Sequence, residues 1–226
     1  LHGTASAEVM AGGAGHDRLR GYDGADELRG GSGNDRLEGG RHEDALDGGT
    51  GWDWAVYAAS RAGVWVDLAR GTGRWGDAEG DRIRGVESAS GSAHADRLLG
   101  DAGVNRLEGG HGADLLAGRG GNDRIDGGFG ADTLTGGAGD DRLEGGGGAD
   151  VLSGGAGDDL LSGGGGVDRV DGGAGDDRMW GGAGADVFVL DARDMRRGDR
   201  DVIEDLETAA DAGWTDAVEL SGIRPG

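Results

Sequence analysis

An apolar residue recurs at every ninth position along most of this chain. From Gly91 to Val189 these positions are Leu98, Leu107, Leu116, Ile125, Leu134, Leu143, Leu152, Leu161, Val170, Met179 and Phe188. Two residues before each stands Asp96, Asn105, Asp114, Asp123, Asp132, Asp141, Asp150, Asp159, Asp168, Asp177 or Asp186. A glycine opens every unit, as in Gly136-Gly137-Ala138-Gly139-Asp140-Asp141-Arg142-Leu143-Glu144. The unit reads as turn plus strand. Six Gly-rich residues bend the chain, because glycine alone reaches positive φ cheaply. Three residues then run extended, with the eighth position inward and the seventh and ninth outward. Two units make a turn of 18 residues, so two parallel sheets lie back to back around the apolar ladder. Strands spaced about 4.8 Å apart would stack the second block into a rod roughly 26 Å long.

The same unit fills a first block, opening at Gly3, Gly12, Gly21, Gly30, Gly39 and Gly48. Its sixth positions are Glu8, Asp17, Asp26, Asp35, Asp44 and Asp53, and its eighth are Met10, Leu19, Leu28, Leu37, Leu46 and Ala55. The end copies are worn, as solenoid caps usually are. Tyr22 and His42 stand where glycine is expected, and a Cβ there strains the turn. Gly48 and Gly91 are not separated by a multiple of nine, so the phase breaks between the blocks. The spacer holds four of the six Trp (Trp52, Trp54, Trp65 and Trp75). Trp54–Ala58 and Val64–Leu68 read as a β-hairpin turning near Arg61-Ala62-Gly63. Gly76–Arg84 is a degenerate copy.

The predicted architecture is an all-β parallel β-roll in two out-of-phase blocks, two rolls joined by an aromatic hairpin. It divides into residues 1–53 (first roll block), 54–90 (hairpin spacer), 91–189 (second roll block) and 190–226 (C-terminal cap). The cap contains short strands near 201–206 and 216–220, with a helical turn or loop from Glu207 to Gly213.

Composition changes the picture in two ways. With 35% hydrophobic residues and 56 glycines, the chain would read as disordered but for its period. Formal charge is −22, and all basic residues are Arg. Such a chain repels nucleic acid and attracts cations. No apolar run is long enough for a membrane span. No signal peptide is visible, and Leu1 reads as the start of a fragment. Catalytic motifs are missing: five scattered His make no His-Glu-x-x-His, Gly-x-Ser-x-Gly is absent, and there is no Lys for a phosphate loop. The chain itself is therefore expected not to be an enzyme, although a parent protein could carry an upstream catalytic domain.

The thin core needs another source of stability. The sixth-position acids stack in columns about 5 Å apart and would repel without a counter-ion. Carboxylates, with carbonyls freed in Gly-rich turns, are the hard oxygen donors that Ca²⁺ takes six to eight at a time. The absence of Cys and of paired His argues against zinc. The bland alternative is that each Asp merely caps its own turn; its repetition in register argues for metal.

Copies such as Gly30-Gly31-Ser32-Gly33-Asn34-Asp35-Arg36-Leu37-Glu38 resemble the RTX (repeats-in-toxin) calcium-binding nonapeptide family, and the resemblance spans both blocks. Position by position, it implies metal ligands at Asp17, Asp26, Asp35, Asp44, Asp53, Asp96, Asp114, Asp123, Asp132, Asp141, Asp150, Asp159, Asp168, Asp177 and Asp186, completed by turn carbonyls. Glu8 and Asn105 mark weak or missing sites. Pairing units one turn apart gives about 13 potential Ca²⁺ sites. The resemblance also implies a bacterial protein exported by type I secretion machinery to the extracellular space. There it would fold on meeting calcium and scaffold an upstream domain.

The outward faces differ. Arg106, Arg124, Arg142 and Arg178 fall on one sheet with Glu108, Asp126 and Glu144, whereas Leu115, Thr133 and Val151 fall on the other. Charge compensation explains the Arg row. The rival is a module binding a surface or an anionic polysaccharide. Ice binding is discounted because the third and fifth turn positions vary.

Overall fold

The computed structural model describes residues 1–191, 198–206 and 215–221. It is an almost wholly β-structure, a solenoid of two parallel sheets. Among the described residues one sheet has 10 strands and the other 13. Regular strands run from the seventh position of one unit to the third of the next, as in Arg142–Gly147 and Val151–Ala156. Successive strands alternate between the sheets, so each pairs with the strand 18 residues on. Ile125 accordingly lies between Leu107 and Leu143 in its ladder.

The eighth-position side chains fill the space between the sheets. Leu19, Leu28, Leu37, Leu98, Leu107, Leu116, Ile125, Leu134, Leu152, Leu161, Val170, Met179 and Phe188 are wholly buried, and one contiguous core runs from Met10 to Phe188. The seventh and ninth positions face outward, as the two-residue strand period requires.

The spacer corrects two expectations. The blocks are out of phase but are not separate rolls, because both sheets run through the phase break. In the 10-stranded sheet, Trp54–Val56 pairs in parallel with Arg36–Leu37 on one side and with Ser88–Ser90 on the other. Asp53 and Glu87 occupy equivalent corners of successive turns but are 34 residues apart, against 18 in a regular turn. The excess is not a multiple of nine, which is why the period slips while the solenoid continues.

The hairpin also pairs differently. Trp54–Val56 follows Asp53 as the strand of its own unit, so the parallel ladder takes it. The antiparallel pair is instead Trp65–Asp67 with Thr72–Arg74. Thr72 then meets Arg82, and Arg82–Arg84 returns to parallel pairing with Ala45–Asp47. Among its described residues the tail adds one strand to each sheet: Val202–Ile203 beside Arg178–Met179, and Ala217–Ser221 beside Val187–Asp191. The turn or loop expected from Glu207 to Gly213 lies outside the described residues.

Candidate metal centre

Two corners join the sheets, and the sixth-position residues line them. At one corner stand Asp17, Asp35, Asp53, Asn105, Asp123, Asp141, Asp159 and Asp177, each just before a strand of the 10-stranded sheet. At the other stand Glu8, Asp26, Asp44, Asp96, Asp114, Asp132, Asp150, Asp168 and Asp186. The regular turn before such an Asp depends on positive φ at the second and fourth positions, as at Gly137 (123°) and Gly139 (121°). Tyr22, His42 and Arg119 adopt positive φ at such positions despite their side chains.

A regular carboxylate of either column is divided between two roles. Its Oδ1 accepts the backbone N–H of the sixth-position residue one turn earlier. Asp141 accepts from Asp123 at 2.7 Å, Asp150 from Asp132 at 2.8 Å, and Asp35 from Asp17 at 2.8 Å. This is the turn-capping role. The other oxygen has no such use. Oδ2 of Asp17, Asp26, Asp35, Asp44, Asp53, Asp114, Asp123, Asp132, Asp141, Asp150, Asp159, Asp168 and Asp177 is buried without a hydrogen-bond donor. A buried polar atom left so costs free energy comparable to a lost hydrogen bond, and more when charged.

The chemistry of these oxygens fits a hard cation. At Gly127 a Cβ would stand 2.6 Å from Asp132 Oδ2 and 2.7 Å from the Gly145 carbonyl oxygen. The first-position glycine thus leaves room where two oxygens converge, and the same arrangement recurs at Gly145 with Asp150 and Gly163. Among the described residues no three His, Cys, Asp or Glu side chains gather at one point. Any cation held here would therefore draw much of its coordination from backbone carbonyls, as Ca²⁺ accepts.

Burial pushes these carboxyls upward: Asp44, Asp114, Asp123 and Asp159 to about 7, and Asp132, Asp168 and Asp177 to about 6. Neighbouring acids add to the shift, and the backbone N–H bonds oppose it. A carboxyl so placed gains most from a positive charge.

The family model for the RTX calcium-binding nonapeptide repeat matches residues 2–37, 21–54, 90–125, 118–152, 126–161 and 162–192, more than half of the chain. The chain belongs to the RTX family. It is a calcium-binding β-roll. No curated relative matches it.

Three sixth positions differ from the other RTX positions; at Glu8 both carboxylate oxygens accept from Thr4, one from its N–H and one from its hydroxyl. Asp96 has both oxygens engaged: Oδ1 accepts Val64 N–H at 2.6 Å, and Oδ2 accepts Ser92 N–H at 2.6 Å. Asn105 Oδ1 accepts Asp101 N–H at 2.7 Å, and its amide donates to the Glu87 carbonyl at 3.2 Å. Sequence reasoning missed four acids that extend the columns. Asp81 accepts Asp44 N–H, Glu87 accepts Asp53 N–H, Asp201 accepts Asp177 N–H and Asp216 accepts Asp186 N–H. Asp81 was legible as the sixth position of the degenerate Gly76–Arg84 copy, and Glu87 as lying 18 residues before Asn105. The last two carry no periodic signal.

Proposed function

We propose that this RTX roll is the calcium-switched module of an exported protein. It stays unfolded where calcium is scarce, folds where calcium is abundant, and stabilises the domain to which it is joined. The observation that carries this reading is the row of buried Oδ2 atoms without donors. When bound, calcium would supply the positive charge that these oxygens lack. Asp Oδ1 fixes the stacking of turns, the first-position glycines keep the oxygen-lined space open, and the turn carbonyls complete the donor set. Because those positions exist only in the stacked chain, binding free energy becomes folding free energy. Weak extracellular-type sites suit such a switch.

RTX proteins are typically secreted, and passage through type I secretion machinery as an unfolded chain accords with this logic. No described helix is long and apolar enough to cross a membrane. Circular dichroism in chelator and then in calcium tests the folding switch; a roll fully formed in chelator would overturn it. Export of a variant with sixth-position Asp replaced by Ala, at unchanged rate and with unchanged folding, would count against the secretion role.

A second reading, docking to an anionic polysaccharide, draws on the in-register row Arg106, Arg124 and Arg142. Retention on such a polymer that is lost on mutating Arg124 and Arg142 would favour it.

A further inference from the structure

Around the spacer the solenoid does without the missing charge. Asp81 stands at the head of a strand like the other column acids, and its Oδ1 accepts Asp44 N–H at 2.8 Å. Its Oδ2, however, accepts the hydroxyl of the buried Tyr57 at 2.9 Å. At Asp96 the same role falls to Ser92, through its N–H at 2.6 Å and its hydroxyl at 3.1 Å. At Asn105 a neutral amide replaces the carboxylate, and Asp101 N–H occupies its oxygen.

Arg119 completes the set. It stands at a second position normally held by glycine, and it holds a φ of 81°. From there its guanidinium reaches one turn back, donating to the Gly100 carbonyl at 2.6 Å and forming a two-pronged pair with buried Asp67 at 2.8 and 3.0 Å. Gly100 opens the Asn105 unit, so a fixed organic cation sits on the first-position carbonyl of the unit that lacks its carboxylate. The backbone agrees. Ser92, His94, Asp101 and Gly103 occupy the second and fourth positions of these two units, and none has the positive φ seen in the regular turns.

We propose that residues 57–106, braced by Arg119 from the next turn, form a calcium-independent junction, in which Tyr57, Ser92 and Arg119 take the places that cations take elsewhere and Asn105 removes the charge that would need one. The roll then carries two separate calcium arrays, one on each side of a segment that is already structured in chelator. This rests on the calcium-switch reading above. It differs in naming the units that take no calcium and the part of the chain that holds its fold without it. A pre-ordered junction gives each array a finished turn on which to stack, so folding starts at the junction and spreads outward.

Amide hydrogen exchange of the full chain in EDTA, read by mass spectrometry, tests this. Peptides within residues 57–106 are expected to exchange at least about tenfold more slowly than those within 127–189, the contrast between a locally folded and an open segment. Equal exchange in the two regions, in a chain that calorimetry shows to bind calcium, overturns the junction and leaves the switch standing. Failure to bind calcium at all overturns both. A second measurement uses the double variant Asn105→Asp with Arg119→Gly, which restores the carboxylate and removes the guanidinium. Native mass spectrometry should count one more bound calcium than in the parent chain; an unchanged count overturns the assignment.

Discussion

Asp159 Oδ1 accepts the backbone N–H of Asp141 at 2.7 Å, while Asp159 Oδ2 is buried without a donor. One oxygen holds the stack together and the other opposes it until a cation arrives. Replacing Asp159 with Asn keeps the acceptor and removes the charge. Burial raises this carboxyl to about 7, so in chelator Asp159→Asn should stabilise the roll. The gain should be on the order of 2 kcal/mol, the full shift being discounted for screening by solvent at the corner. In saturating calcium the same variant should be less stable than the parent. The folded fraction in chelator, read by circular dichroism, and a denaturant titration in calcium check the reversal; the same sign in both would sink the two-role account.

The pH dependence follows from the same groups. Asp44, Asp114, Asp123 and Asp159 rise from an ordinary value near 3.8 to about 7 in the metal-free fold. The folded chain therefore binds more protons than the unfolded chain between those values. Stability from this source is full below the unfolded value and is lost as pH rises through about 7. In chelator the folded fraction of the roll should be higher at about pH 5.5 than at about pH 7.5. Protons compete with the cation, so apparent calcium affinity should fall over the same interval on acidification. Circular dichroism in chelator and calorimetric calcium titration at the two pH values read the two effects.

Much of this arrangement was legible in the sequence, because the period assigns each residue type one place. The spacing of Leu143 and Leu161 implied the stacked core, and Asp141 with Asp159 implied the corner column. Glycine at the first position marked the oxygen-lined space. What the period could not show lies where it stops. The pairing of Trp65–Asp67 with Thr72–Arg74 is set by which strand ladder captures Trp54, a tertiary matter. The Tyr57–Asp81 and Arg119–Asp67 contacts join residues 24 and 52 apart, unrelated to the repeat.

Adjacent glycines in one unit should respond oppositely to the same change. Gly164 has a φ of 107°, and a Cβ there would collide with the Gly146 carbonyl one turn back. Gly165, next in the chain, has nothing within 4 Å of its Cβ position. Gly164→Ala should cost about 2–4 kcal/mol in calcium, through backbone strain and forced separation of the turns. Gly165→Ala should stay within about 0.5 kcal/mol of the parent. Similar midpoints for the two variants would show that the turn relaxes in a way this stacking does not allow.

The Arg row on the 10-stranded sheet supplies the last contrast. Arg106, Arg124 and Arg142 lie in register, which alone would be repulsive. Arg106 meets Glu108 at 2.8 Å and Arg142 meets Glu144 at 3.8 Å, across partly exposed side chains. Exposed pairs of this kind contribute roughly 0–1 kcal/mol each. Replacing the three arginines with Gln should thus shift the calcium-bound melting temperature by only a few degrees. If the row serves charge compensation, retention of the parent chain on an immobilised anionic polysaccharide should be weak and unaffected by the triple change. Strong, salt-sensitive retention that disappears in the variant would instead make the row a binding face, since surface charge that stabilises little is then free to recognise a polyanion.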